Sequence, residues 1–138
     1  MILVDTNVLV YSMNVASSKF RKAKEFLVLN EGKICVAQQN LIEAYRVLTS
    51  KQAGLSPLEV GLKLSRIVKI FRKIIFPTEN TWKKTLEFAR KRAIISSKIF
   101  DVYLYFTALD NGVKVIATEN VKDFEGLKGL EVVNPFSA

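Results

Sequence analysis

Two hydrophobic patterns alternate along the chain. Short continuous apolar runs, as in buried parallel strands, are separated by stretches where apolar residues recur every three or four positions, as on a one-faced helix. The first run is "ILV", and "VLVYSM" after it reads as helical. "SKFRKAKEFLVLNEG" follows, with Phe20, Ala23, Phe26 and Leu27 at helical spacing and Gly32 as its stop. A second strand, "KICVA", leads into "QQNLIEAYRVLTSK", where Leu41, Ala44, Tyr45 and Leu48 form the predicted buried stripe. Ser56 is placed to cap "SPLEVGLKLSRIVKIFRK", with Pro57 at its first helical position. "IIFP" reads as a third strand closed by Pro77, and Thr78 or Asn80 then starts "TWKKTLEFARKRA". "SSKIFDVYLYFTALDNG" is a further helix ending at Gly112, and "VKVIAT" and "LEVVN" are two late strands.

Strands alternating with helices predict an α/β fold, a parallel sheet covered by helices on both faces. In such sheets ligands collect beyond the carboxyl ends of the strands. A chain of 138 residues is the usual size of one domain, so residues 1–138 are expected to form a single unit. There is no internal repeat and no low-complexity segment.

Composition narrows the chemistry. The chain contains no histidine, which excludes imidazole as base or ligand and leaves carboxylates, with Lys or Tyr as lesser alternatives. The single cysteine, Cys35, has no partner for a disulfide or a thiolate metal site and reads as a small core residue. Neither GxGxxG nor GxxxxGK[ST] occurs, which argues against a dinucleotide or P-loop site. The absence of a basic leader before the first strand and of any membrane-length apolar run predicts a soluble, cytoplasmic protein. A net charge of +8 favours a polyanionic partner, most commonly nucleic acid.

Among the carboxylates, Asp5 ends the first predicted strand and so belongs at the sheet's carboxyl edge. Its ordinary role there is to cap the next helix by accepting a backbone N–H near Val8, a role compatible with metal binding. Asp101 lies near the start of a helix that is apolar on nearly every face, where a carboxylate needs a compensating cation or arginine. Glu43 falls at the margin of its helical stripe, and spacing leaves it open between a solvated side chain and a ligand. In "VIATENVKDF" another strand ends in polar residues. Thr118 or Asn120 caps a short helix on one view; on the other, Asn120 and Asp123 face the same edge as Asp5. Oxygen ligands from two strand ends suit a hard cation such as Mg²⁺.

"ILVDTNVLVYS", "NLIEAYRVL", "IFDVYLYFTALDNGVKVIATENVKDF" and "GLEVVNPF", in that order, resemble the PIN-domain ribonucleases, in particular the VapC-type toxins of toxin–antitoxin pairs. The resemblance runs from Met1 to Phe136. It implies a three-layer fold with a central, mostly parallel sheet of about four or five strands. It also implies endonucleolytic hydrolysis of RNA with Mg²⁺ or Mn²⁺ held by an acidic cluster. Matched by motif, the catalytic acids are Asp5, Glu43 and Asp101, with Asn7 and Thr118 orienting carboxylates or water. The fourth acidic position departs from the family pattern: Asn120 stands where many members carry Asp, so either its amide oxygen or the Asp123 carboxylate serves. The resemblance further implies a VapB-like antitoxin and a homodimer.

Arg66, Lys69 and Lys73, with Lys63, are predicted to form a basic stripe on one helix; Lys19, Arg21, Lys22 and Lys24 form a second cluster, and Arg90, Lys91 and Arg92 a third. Ile67, Ile70 and Phe71 are expected to support a dimer or antitoxin groove, and Trp82 to sit in the core. The competing reading is a PIN fold that binds RNA or protein without cleaving. A phosphatase or phosphoacceptor domain fits poorly, because Asn7 stands where the dehalogenase pattern requires a second Asp.

Overall fold

The computed structural model describes residues 1–137. The elements run β1 (Ile2–Val4), α1 (Thr6–Met13), α2 (Phe20–Leu29), β2 (Ile34–Ala37), α3 (Gln38–Leu48) and α4 (Pro57–Ile67). After a 3-10 turn (Val68–Ile70) come β3 (Lys73–Ile75), α5 (Thr81–Arg92), α6 (Lys98–Asp110), β4 (Val115–Ala117), α7 (Val121–Phe124) and β5 (Glu131–Val133). The five strands pair in the order β3-β2-β1-β4-β5, and every pairing is parallel.

Alternation along the strands divides the core between two faces. Val4, Ile34 and Val36 pack with Val8, Leu9, Ala23, Leu27, Ala44, Leu48 and Val60, residues of α1 to α4. Leu3, Cys35 and Ala37 point the other way, against Leu104, Tyr105, Ala108 and Phe124 of α6 and α7. Helix α5 adds to this second layer through Phe88, whose ring meets Phe106 edge-on at 5.7 Å. The strands are thus apolar on both faces because both are covered. Cys35 is fully buried, and burial pushes its thiol up to about 11, so it is a packing residue.

The strand order positions the site. From β1 the chain winds outward through β2 to β3, then returns across the sheet to lay β4 on the other side of β1. The order therefore reverses between β1 and β4, and the crevice at their carboxyl ends is where open α/β sheets place ligands. Asp5 follows β1 and Thr118 follows β4, joined by the Asp5 N–H donating to the Ala117 carbonyl at 3.0 Å.

Several expectations change. Helix α2 ends at Leu29, before Gly32, which turns the chain into β2 with φ +81°. Lys73 opens β3, and Lys69 lies in the 3-10 turn, so the proposed stripe on one helix does not exist. The buried stripe of α3 is Asn40, Ala44 and Leu48; Tyr45 faces solvent. Trp82 is 52% exposed rather than core, whereas Phe71 is buried and Ile67 and Ile70 pack onto the core. No helix among the described residues is long and apolar enough to cross a membrane.

Candidate metal centre

Asp5 is held at the rim of the core, only 8% exposed. One oxygen, Oδ1, accepts from the Thr6 N–H at 2.8 Å and from Asn40 Nδ2 at 3.3 Å. Its Oδ2 accepts from the Thr118 hydroxyl at 2.7 Å and from Asn7 Nδ2 at 3.3 Å. Asp5 does cap α1, but through the N–H of Thr6; the Val8 N–H donates to the Asp5 backbone carbonyl at 3.1 Å. Four donors on one buried carboxylate fix its orientation and keep it dry.

The same donors tie the surrounding elements together. Thr118, fully buried, accepts from Asn7 Nδ2 at 3.0 Å and from the Asn120 N–H at 3.0 Å. Asn7 Oδ1 accepts the Glu119 N–H at 3.1 Å, so α1 and the turn after β4 are joined by both ends of one amide. Glu43 rises from α3, its Oε2 accepting from the Thr6 hydroxyl at 2.8 Å and its Oε1 from Gln39 Nε2 at 3.0 Å. Asp101, in the first turn of α6, receives no hydrogen bond among the described residues and is partly open to the cleft.

Asp5, Thr6, Asn7, Glu43, Asp101 and Asn120 line one cleft of about 340 Å³, walled by Val10, Tyr11 and Val47. A larger groove along α2, about 410 Å³, is lined by Phe20, Arg21, Lys24, Glu25, Val28 and Leu29 and brings no set of carboxylates together. Asn120 caps α7 without a hydrogen bond from its own side chain and is exposed at the cleft. Asp123 does not line the cleft; Lys98 reaches it at 3.5 Å. Three residues of the site were missed in the sequence: Thr6, Gln39 and Asn40. Asn40 was legible, since it precedes Ala44 and Leu48 by one and two turns on the buried stripe.

The PIN-domain family model matches residues 2–129, nearly the whole chain. The chain belongs to the PIN-domain family. Ribonuclease VapC24 of Mycobacterium tuberculosis is 26% identical over 144 residues, covering 100% of this chain and 99% of that protein. Among solved structures, VapC20 of Mycobacterium tuberculosis, a sarcin–ricin-loop-cleaving toxin, superposes with a TM-score of 0.72 at 14% identity, covering 95% of this chain and 99% of its own. The DNA-bound VapBC of Salmonella typhimurium gives 0.71 at 19% identity, with 98% and 99% covered.

Electrostatics in this PIN domain favour a cation. Burial raises Asp5 above the usual carboxylate range, opposed by the Thr118 and Thr6 hydrogen bonds and reinforced by the charges of Glu43 and Asp123. Burial also pushes Asp101 up to about 6, with Asp123 and Asp5 adding repulsion, Lys98 relieving it and Glu43 adding a little more. Among the described residues, no group of three or more Asp, Glu or Cys side chains stands close enough together to hold an ion by itself. Mg²⁺ does not need one, because it is usually held by one or two carboxylates and keeps several waters. The donor set, oxygen throughout, with one carboxylate lacking a hydrogen bond and two protonated too readily, fits a hard divalent cation.

Proposed function

We propose that the protein is a divalent-metal-dependent endoribonuclease acting as the toxin of a VapBC-type pair. The observation that carries this reading is the convergence of Asp5, Glu43 and Asp101, from three different elements, on one cleft of a PIN domain. The ribonuclease activity of the VapC24 relative supports RNA as substrate, and the VapBC complexes of like fold support a VapB-like antitoxin as partner. A homodimer, one domain over residues 1–138 and a cytoplasmic site of action belong to the same reading.

Asp5, Glu43 and Asp101 would hold Mg²⁺ or Mn²⁺, with the Asn120 amide as a neutral oxygen ligand. When bound, the cation supplies positive charge that offsets the carboxylates and raises the acidity of water for attack on a phosphodiester. Thr118, Asn7 and Asn40 orient Asp5, and Thr6 orients Glu43. Asp123 contributes its charge from outside the cleft. RNA is held by the cations left without an ion pair among the described residues, Lys22, Lys24, Arg66, Lys69, Arg90 and Arg92 among them; Lys19, Arg21, Lys63 and Lys91 are each paired to a glutamate.

The test is cleavage of structured and unstructured RNA by wild type and Asp5→Asn with Mg²⁺, Mn²⁺ or EDTA, after both are shown to fold. Metal-dependent cleavage that disappears in the variant is the expected result. A second reading, a PIN fold that binds without cleaving, is favoured by one observation: at the fourth position an amide faces the cleft while Asp123 is engaged by Lys98. Equal RNA binding by both proteins with no cleavage by either would select it.

A further inference from the structure

Glu43 and Asp101 stand on helices that share little else. Among the described residues, one hydrogen bond runs from α3 to α6, and Gln39 makes it. Its Nε2 donates to Glu43 Oε1 at 3.0 Å and to the carbonyl of Phe100 at 3.2 Å. Phe100 immediately precedes Asp101, whose own carboxylate accepts nothing. The Gln39 amide therefore spans from one proposed ligand to the backbone beside another. Both contacts of Nε2 are to acceptors, which fixes the amide with Oε1 turned inward. There Oε1 is buried and has no hydrogen-bond partner.

A buried, unpartnered amide oxygen is a cost that a residue chosen for stability would not carry. A thioether or an alkyl chain of similar length would remove it. What the glutamine alone supplies is two N–H groups in a fixed fork, one for each side of the cleft.

From this we infer that Gln39 is a positioning residue, a tether that sets the separation of Glu43 and Asp101 and so tunes the affinity of the cleft for a divalent cation. The inference rests on the cation-binding reading of the cleft, and its physical content is that the two helices move apart when the tether is removed. Among the described residues no other hydrogen bond or ion pair crosses between them, and Asp101 is repelled by Asp123, Asp5 and Glu43 together.

The experiment compares wild type with Gln39→Met, and with Gln39→Ala should the first not fold. Three quantities are read: melting temperature without metal, Mn²⁺ affinity by titration calorimetry, and amide exchange of Leu104, whose N–H bonds the Phe100 carbonyl within α6. Expected are an unchanged or higher melting temperature, Mn²⁺ affinity weaker by about tenfold, the scale seen when outer-shell partners of metal ligands are removed, and faster exchange at Leu104 in the metal-free variant. Unchanged Mn²⁺ affinity and unchanged exchange would overturn the inference, as would a fall in melting temperature with both of those intact. If wild type binds no Mn²⁺, the cation reading fails by itself and the exchange comparison alone decides the tether.

Discussion

At the scale of single residues, the site is a contest between desolvation and hydrogen bonding. Asp5 sits in a dry place that disfavours its charge, a cost that the donors Thr118, Asn7, Asn40 and the Thr6 N–H only partly offset. Thr118→Val removes the shortest of these bonds and leaves the N–H groups of Asn7 and Asn120 short of an acceptor. Stability should fall by about 1–3 kcal/mol, read from urea unfolding. Asp5→Asn should retain the fold, since Asn caps a helix about as well as Asp, while RNA cleavage drops by at least ~10²-fold. Asp101, pushed up to about 6, lies well above the usual value of about 3.9. The folded chain therefore binds this proton more tightly than the unfolded one. Its stabilising contribution is full below the ordinary value and is lost as pH rises through about 6. The metal-free protein should accordingly melt at a lower temperature at neutral pH than at mildly acidic pH. A cation competes with the same proton, so Mn²⁺ affinity should weaken as pH falls through that region, by up to roughly tenfold per unit once Asp101 is mostly protonated. A calorimetric affinity that is flat across the interval would contradict the assignment of Asp101.

Elements carry these residues with unequal precision. Asp5 and Thr118 stand directly beyond β1 and β4, two central strands hydrogen-bonded to each other, and their separation is set by the sheet. Glu43 and Asp101 stand on helices, Glu43 well into α3 beyond β2 and Asp101 at the end of α6 far from β4, and depend on side-chain contacts for their placement. Metal affinity should therefore be more sensitive to changes on α3 and α6 than to changes at the outer helices. Ser56, whose hydroxyl accepts the Glu59 N–H at 3.1 Å to cap α4, provides the contrast. Ser56→Ala should cost about 1 kcal/mol of stability and leave cleavage per folded molecule unchanged. Unfolding curves and rates taken on the same preparation would show whether the two effects separate. The short α7 was visible as a capped turn in "TENVKD", yet which of its polar groups faces the cleft was not. Asn120 and Asp123 lie three residues apart, and a helical turn that short leaves both directions open until Lys98 takes one of them.

For the whole molecule, charge is the dominant property. The +8 surplus is spread over several helices, and paired lysines reduce what remains for a partner. RNA binding should fall steeply as salt rises, with a log–log slope of roughly −0.7 per phosphate contacted on a single strand. A binding constant insensitive to salt would remove the surface cations from the substrate path. Replacing Arg90 and Arg92 together should lower the slope without altering the metal requirement.

Periodicity alone determined most of the architecture, because continuous apolar runs can be satisfied only by strands covered on both faces, and helical stripes supply the cover. It also singled out Asp5 and Asp101 as candidates, since a carboxylate closing a buried strand or opening an apolar helix conflicts with its surroundings unless a partner compensates. Three features came only with tertiary structure. The reversal of strand order between β1 and β4 turned two strand ends into a cleft. The rotation of α3 turned Tyr45 out to solvent, a shift of one position that a stripe of mixed residues does not resolve. The polar partners of Glu43 and the link from Gln39 to the backbone beside Asp101 were also out of reach, because Thr6, Gln39 and Phe100 become neighbours of the site only when α1, α3 and α6 meet. Local pattern encodes burial, whereas the geometry of a site assembled from distant segments is a property of how those segments pack.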